Sequence, residues 1–138
     1  EVINKNSPIK LVKPYEHRII NGELSIDEAI VRAVKSGNFR LILASLALFN
    51  KVRNWSRLYN IAKKENIRRK IGALYEVAKR IIRVRRMDNK TIRLMLNAKN
   101  EERYIIKRFK SKDFDEIEKR WRVYIPFNMA DLMRYKEW

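Results

Sequence analysis

Cysteine is absent from the 138 residues, which excludes a disulfide framework, a thiolate metal site and a cysteine nucleophile together. A chain without thiols suits a reducing compartment, and the cytoplasm is the expected location. Glycine occurs three times, at Gly22, Gly37 and Gly72, each time singly. No Gly-rich loop is therefore present to wrap phosphates, and nucleotide-driven chemistry has no support. Histidine occurs once, as His17 between Glu16 and Arg18; without a second His or a Cys it completes neither a metal site nor a base–nucleophile pair. No apolar run approaches the roughly 20 residues that cross a bilayer. The longest, Leu41 to Phe49, reads as half of a buried helix, so no membrane partner is expected. The acidic run Asp113, Asp115, Glu116 and Glu118 suits a helix N-terminus, with Glu118 pairing to Arg122 at i+4, better than it suits Mg²⁺. The expectation is a chain without catalytic residues, cofactor or metal.

What is present in excess is positive charge: 33 Lys and Arg against 16 Asp and Glu, a formal net charge of +17. A field of one sign concentrates polyanions at the surface and speeds their association. Abundant Ile, Lys, Arg and Glu with little Gly also resembles hyperthermophile composition, where ion-pair networks gain value. That accounts for charge density but not for its imbalance. The length is that of one ordinary domain with a real core, and a start at Glu1 rather than Met reads as a piece of a longer protein.

Periodicity predicts a mostly α fold, a multi-helix bundle of helical hairpins with room for one or two short strands at the termini. Residues 1–24 read as an extended lead-in, with Pro8 and Pro14 bracketing Ile9, Leu11 and Val12, and residues 25–138 as a single helical domain. Ser25-Ile-Asp-Glu28 is a capping box that opens a first helix near Ile26. Ser36-Gly37-Asn38 closes it. A second helix from about Phe39 to Lys51 is apolar almost all round and is expected to be central. Asn54 or Ser56 caps a third helix through Lys64. A fourth, about 67–86, carries Ile67, Ile71, Leu74, Ala78, Ile81 and Ile82 on one side, with Gly72 permitting close approach of a neighbour. A further helical region is expected over Thr91 to Phe109, with a break near Asn97 to Asn100 left open. Asp113-Phe-Asp-Glu116 reads as a second capping box, Val123-Tyr-Ile125 as a helix continuation or a short strand, and Met129 to Tyr135 as a last turn or two.

From Lys63 to Lys90 the chain holds 11 Lys and Arg against 3 acidic residues, nearly half of the net excess in a fifth of the length. On a helical wheel Arg68, Arg69, Lys79, Arg80, Arg83 and Arg86 fall within about 120° of one another, opposite the Ile and Leu stripe. Arginine forks match phosphate oxygens, and each neutralised phosphate releases counterions. These six residues are the expected nucleic-acid contacts. Trp55 with Tyr59 is expected to pack in the core. Trp121 and Tyr124, with Tyr135 and Trp138 of the apolar C-terminal segment, are the candidate contacts to a protein partner.

From Asp27 to Ile82 the order Glu28-Ala29-Ile30, Trp55-x-x-Leu58, Ala62-Lys63 and Arg69-Lys70-Ile71-Gly72-x-Leu74 resembles the archaeal AbiEi-type antitoxin regulators. Trp121-Arg-Val-Tyr-Ile-Pro126 resembles the tail segment that follows in them. The resemblance implies a DNA-reading winged helix, a basic C-terminal domain with antitoxic activity, and a nucleotidyltransferase-like toxin as partner. No winged helix precedes Ser25, so this chain would correspond to the C-terminal domain alone.

Two functions follow as expectations. One is a nucleic-acid-binding regulatory domain of the antitoxin or transcription-regulator kind, with DNA favoured over RNA. The other is a small helical subunit of a ribonucleoprotein or phage-defence assembly, with RNA on its basic face and a neighbour on its C-terminal segment. The sequence does not choose an oligomeric state.

Overall fold

Ser25 begins the first helix as its capping box requires, its hydroxyl accepting from Glu28 N–H at 3.1 Å while Ser25 N–H donates to Glu28 Oε1 at 3.3 Å. The computed structural model describes residues 24–136; residues 1–23 of the expected lead-in, His17 among them, and Trp138 lie outside them. Helix α1, Ile26–Lys35, closes at Gly37, whose φ of 66° is left-handed backbone that glycine adopts without a Cβ clash. Asn38 caps α2, Phe39–Ser45, which tightens into a 3-10 helix over Leu46–Lys51. Residues 42–49 are all buried, as an all-round apolar helix demands. Asn54, not Ser56, caps α3, Trp55–Lys64, accepting from Arg57 N–H at 3.1 Å.

The longest helix, α4, runs from Arg68 to Ile81. It packs against α1, α3 and the 3-10 helix, and also against α5, Asn89–Leu96, α6, Asp115–Trp121, and α7, Met129–Lys136. The centre of the bundle is thus shared between α4 and the 42–49 segment. Gly72 permits the closest approach: a Cβ there would lie 2.6 Å from Trp121 Cε3 and nearer still to two other ring atoms. Buried residues from Leu24 to Leu132 form one hydrophobic cluster. Among the described residues no strand forms, only an isolated parallel bridge between Tyr104 and Tyr124. None of the described helices is long and apolar enough to cross a membrane.

Four expectations are corrected. The fourth helix stops at Ile81 rather than near Arg86, and Ile82 is extended with φ −138° and ψ 164°. A helix continued at about 100° per residue would turn Arg85 toward the core and Met87 away from it. The extended chain instead buries Met87 and leaves Arg85 exposed, while Met87 N–H donates to the Tyr75 hydroxyl at 2.8 Å. The helical region after Asp88 ends at Leu96, because Asn100 is left-handed at φ 61° and the chain turns to deliver Glu101 elsewhere. Asp113 does not cap α6; Phe114 holds that position without a side-chain cap, and the Asp113 carboxylate accepts from Met129 N–H at 2.8 Å. Glu118 does not pair with Arg122, since it is drawn inward to accept from Ile125 N–H at 2.8 Å, with Lys110 3.5 Å away.

Candidate nucleic-acid interface

The end of α4 decides which cations share a surface. Lys79 and Arg80 are exposed in its last turn, where cations complement the helix dipole. Each is steadied by an aromatic ring, Lys79 Nζ at 5.1 Å from the Tyr75 centroid and the Arg80 guanidinium at 5.5 Å from that of Phe114. Arg83, Arg85 and Arg86 then lie exposed on the extended stretch, pinned at one end by the Met87–Tyr75 hydrogen bond. The Arg85 guanidinium also donates to the Arg53 carbonyl, which brings exposed Arg53 from the start of α3 alongside. Exposed Lys90 follows, just after Asp88 caps α5 by accepting from Thr91 N–H at 2.9 Å. Among the described residues no carboxylate lies within 4.0 Å of Lys79, Arg80, Arg83, Arg85, Arg86 or Lys90. Elsewhere some acids are paired with bases: Glu65 with Lys35, Asp27 with Arg57, Glu76 with Arg120. Between Lys79 and Lys90 the chain carries a single acid, Asp88.

Arg68 and Arg69 do not belong to it. They stand at the opposite end of α4, about 17 Å away at 1.5 Å per residue. Ile67 supplies no side-chain cap there, and Glu101 replaces it from 33 residues away, accepting from Arg68 N–H at 3.2 Å, Arg68 Nε at 2.9 Å and Arg69 N–H at 2.9 Å. The Glu101 side chain is wholly buried, and that of Arg68 is 18% exposed. The Glu101 hydrogen bond raises the Arg68 pKa. Arg69 is buried, with one guanidinium nitrogen donating to the Glu101 carbonyl at 2.6 Å; burial, then the nearby Arg122, lower its pKa. These two arginines hold the fold together, and the single helical cationic face expected from the wheel is replaced by a strip that turns off the helix.

The expected partner contacts divide similarly. Trp121 is fully buried against Gly72, its indole N–H donating to Glu76 Oε2 at 2.6 Å. It is a core residue and offers nothing to another chain. Tyr124 is half-buried with its ring centroid 4.5 Å from that of Tyr104. Tyr135 is half-buried on α7. The C-terminal segment docks on its own domain through Phe127, edge-on to Phe39 at 6.2 Å, and through buried Leu132. Trp55 is buried, as expected, against Tyr75 with centroids 5.1 Å apart, and Tyr59 is half-buried.

Sequence reasoning missed Glu101, Arg53 and a second cation group, Arg103, Lys119 and Arg122, around a cavity beside α6. No local pattern announces them, because each is joined to its neighbours only by tertiary packing. No group of three or more His, Cys, Asp or Glu among the described residues is placed to hold a metal ion. No protein-family model matches the chain, and no curated protein or solved structure resembles it at a significant level.

Proposed function

We propose that the chain is a cytoplasmic nucleic-acid-binding regulatory domain, of the antitoxin or transcription-regulator kind, that grips phosphates through the strip from Lys79 to Lys90. The observation that supports this reading is that six exposed cations occur there without a carboxylate in pairing distance. An ordinary solvated face mixes both signs. Rings and hydrogen bonds hold Lys79, Arg80 and Arg85 in place, which lowers the ordering cost of binding. Duplex DNA is the favoured ligand, since evenly spaced phosphates suit an elongated cationic strip.

One phosphate for each of the six would give a slope of log K against log salt near −5, and a loss on the order of 10³ in affinity from 50 to 200 mM salt. Fluorescence anisotropy of a labelled duplex, titrated at several salt concentrations, reads this directly. Changing Arg80, Arg83 and Arg86 to Glu is expected to flatten the slope by about 3. A wild-type chain that fails to bind duplex or single-stranded nucleic acid near physiological salt overturns the reading.

A further inference from the structure

The loop from Arg103 to Lys112 carries five exposed cations, Arg103, Lys107, Arg108, Lys110 and Lys112, and no acid. Both its ends are fixed to one stretch of chain. Tyr124 N–H donates to the Arg103 carbonyl at 2.8 Å, and Ser111 N–H donates to the carbonyl of the adjacent Ile125 at 2.7 Å. Ser111 is buried, its hydroxyl donating to Asn128 Oδ1 at 3.3 Å and accepting from Asp113 N–H at 2.9 Å. Buried Ile105 anchors the first half. The residues between these anchors form a compact surface loop with an exposed tip, Lys107 to Lys110.

At that tip Phe109 N–H donates to the Ile106 carbonyl at 3.1 Å, which closes a turn. Arg108, the residue before Phe109, has φ 70°, where glycine or asparagine is usual. The turn leaves Phe109 55% exposed, the most of the large apolar side chains among the described residues. A lone exposed ring is ordinary by itself. This one follows a non-glycine residue held in left-handed backbone, a strain that gathers at binding sites, and cations flank it on both sides. Folding gains from neither feature, since the ring buries little and glycine would make the turn more easily.

The free charge sets the sign of the partner. Lys110 is drawn back toward α6, 4.0 Å from Asp115 and 3.5 Å from Glu118. Glu102, just before the loop, has its Oε1 taken by Arg103 N–H at 2.8 Å and Tyr104 N–H at 3.2 Å. Arg103, Lys107, Arg108 and Lys112 have no carboxylate within 4.0 Å among the described residues. An aromatic ring between free cations matches a base between its phosphates. An anionic bilayer is the poorer match, because one Phe inserts less apolar surface than a single myristoyl chain, which alone binds membranes only marginally. The loop is also within reach of the cationic strip. Phe114, whose ring lies 5.5 Å from the Arg80 guanidinium, is separated from Phe109 by at most about 18 Å of chain.

We infer that Phe109 stacks on an unpaired base of a nucleic-acid strand while Lys107, Arg108 and Lys112 hold the phosphates on either side. A base inside a duplex has no free face, and wedging the stack open costs energy, so the loop acts on single-stranded segments. Stacking of this kind tolerates any base. The site lies outside the strip and shares with it only the class of ligand.

The full chain is titrated against 5′-labelled (dT)12 and against a blunt duplex, by anisotropy at several salt concentrations. Stacking on one base contributes a factor of about five or more. Phe109→Ala is expected to weaken (dT)12 by at least that factor and the duplex by less than about twofold, with Phe109→Trp restoring the single-strand affinity. Lys107→Gln with Arg108→Gly, glycine suiting the left-handed position, is expected to flatten the single-strand slope of log K against log salt by about 1.4, for two phosphates. Undiminished binding of (dT)12 by Phe109→Ala, or equal losses on strand and duplex, overturns the proposal and leaves the strip standing. Single-strand binding that depends on Phe109, without duplex binding, supports the proposal and counts against the strip alone. Sedimentation with vesicles of phosphatidylcholine and phosphatidylserine in equal parts is the last arm. Vesicle binding that Phe109→Ala abolishes, with (dT)12 binding unchanged, would make the loop a membrane contact and overturn the proposal.

Discussion

Replacing Gly72 with alanine tests whether the α4–α6 contact is set by the Trp121 ring. In an exposed helix the change would stabilise by about 1 kcal/mol, the propensity difference. Here the new Cβ would lie 2.6 Å from Cε3 and closer to Cζ3 and Cη2, where carbon atoms normally rest about 3.5 to 4.0 Å apart. The indole must retreat by more than about 1 Å on that comparison, in a core where Trp121 has no exposure. Overpacking of this kind costs about 3 kcal/mol. The retreat also strains the 2.6 Å hydrogen bond from the indole to Glu76, a bond to a charged group that contributes about 2 kcal/mol. Less the propensity gain, the loss comes to about 4 kcal/mol, which lowers Tm by roughly 10–20 °C in a domain of this size. Urea and thermal unfolding followed by tryptophan fluorescence and circular dichroism measure it. In a Trp121→Leu background the clash is gone, and Gly72→Ala should be neutral or stabilising. Equal effects in the two backgrounds would refute the argument, and a stable Gly72→Ala single variant would do so outright.

Other outcomes follow from buried charge and from caps. Glu101→Gln keeps the shape but leaves Arg68 and buried Arg69 facing a neutral amide; a loss of about 3 kcal/mol is expected, as when one member of a buried pair is removed, read from the urea midpoint at unchanged m. Hydrogen bonds from Thr91 N–H and its hydroxyl hold the Asp88 carboxyl below its ordinary value. Between the folded and unfolded pKa values the unfolded chain binds more protons, so this contribution is complete above the unfolded value of about 3.9 and is lost as pH falls through the lower folded one. Asp88→Ala should cost about 1 kcal/mol at pH 7, the usual worth of such a cap, and the difference from wild type should shrink toward pH 2 in acid unfolding. Asp27 has the opposite sign: burial raises its pKa against the lowering effect of Arg57. Native Asp27 therefore holds its proton to higher pH, its contribution to stability falls as pH rises through the carboxylate range, and Asp27→Asn should stabilise the fold at pH 7 relative to pH 3, by urea titration.

The sequence by itself determined the features that depend on residues within about one helical turn. The capping box at Ser25, the cap at Asn54, the left-handed Gly37 and the apolar stripe of α4 all rest on spacings of three or four positions. Net charge was equally legible, being a sum. The sequence also held an unread warning against a helix to Arg86: continuing the wheel puts Arg85 on the core side and Met87 outside. What tertiary structure alone decided is which charges remain free. Glu101 reaches Arg68 and Arg69 across more than thirty residues and converts two expected phosphate contacts into helix-capping partners. Trp121 becomes core because Gly72 leaves space for its ring, while Arg53 approaches the strip through the Arg85 hydrogen bond. The reason is range: local hydrogen bonds and periodicity are written in neighbouring residues, whereas desolvation and charge pairing depend on what the packed chain brings near.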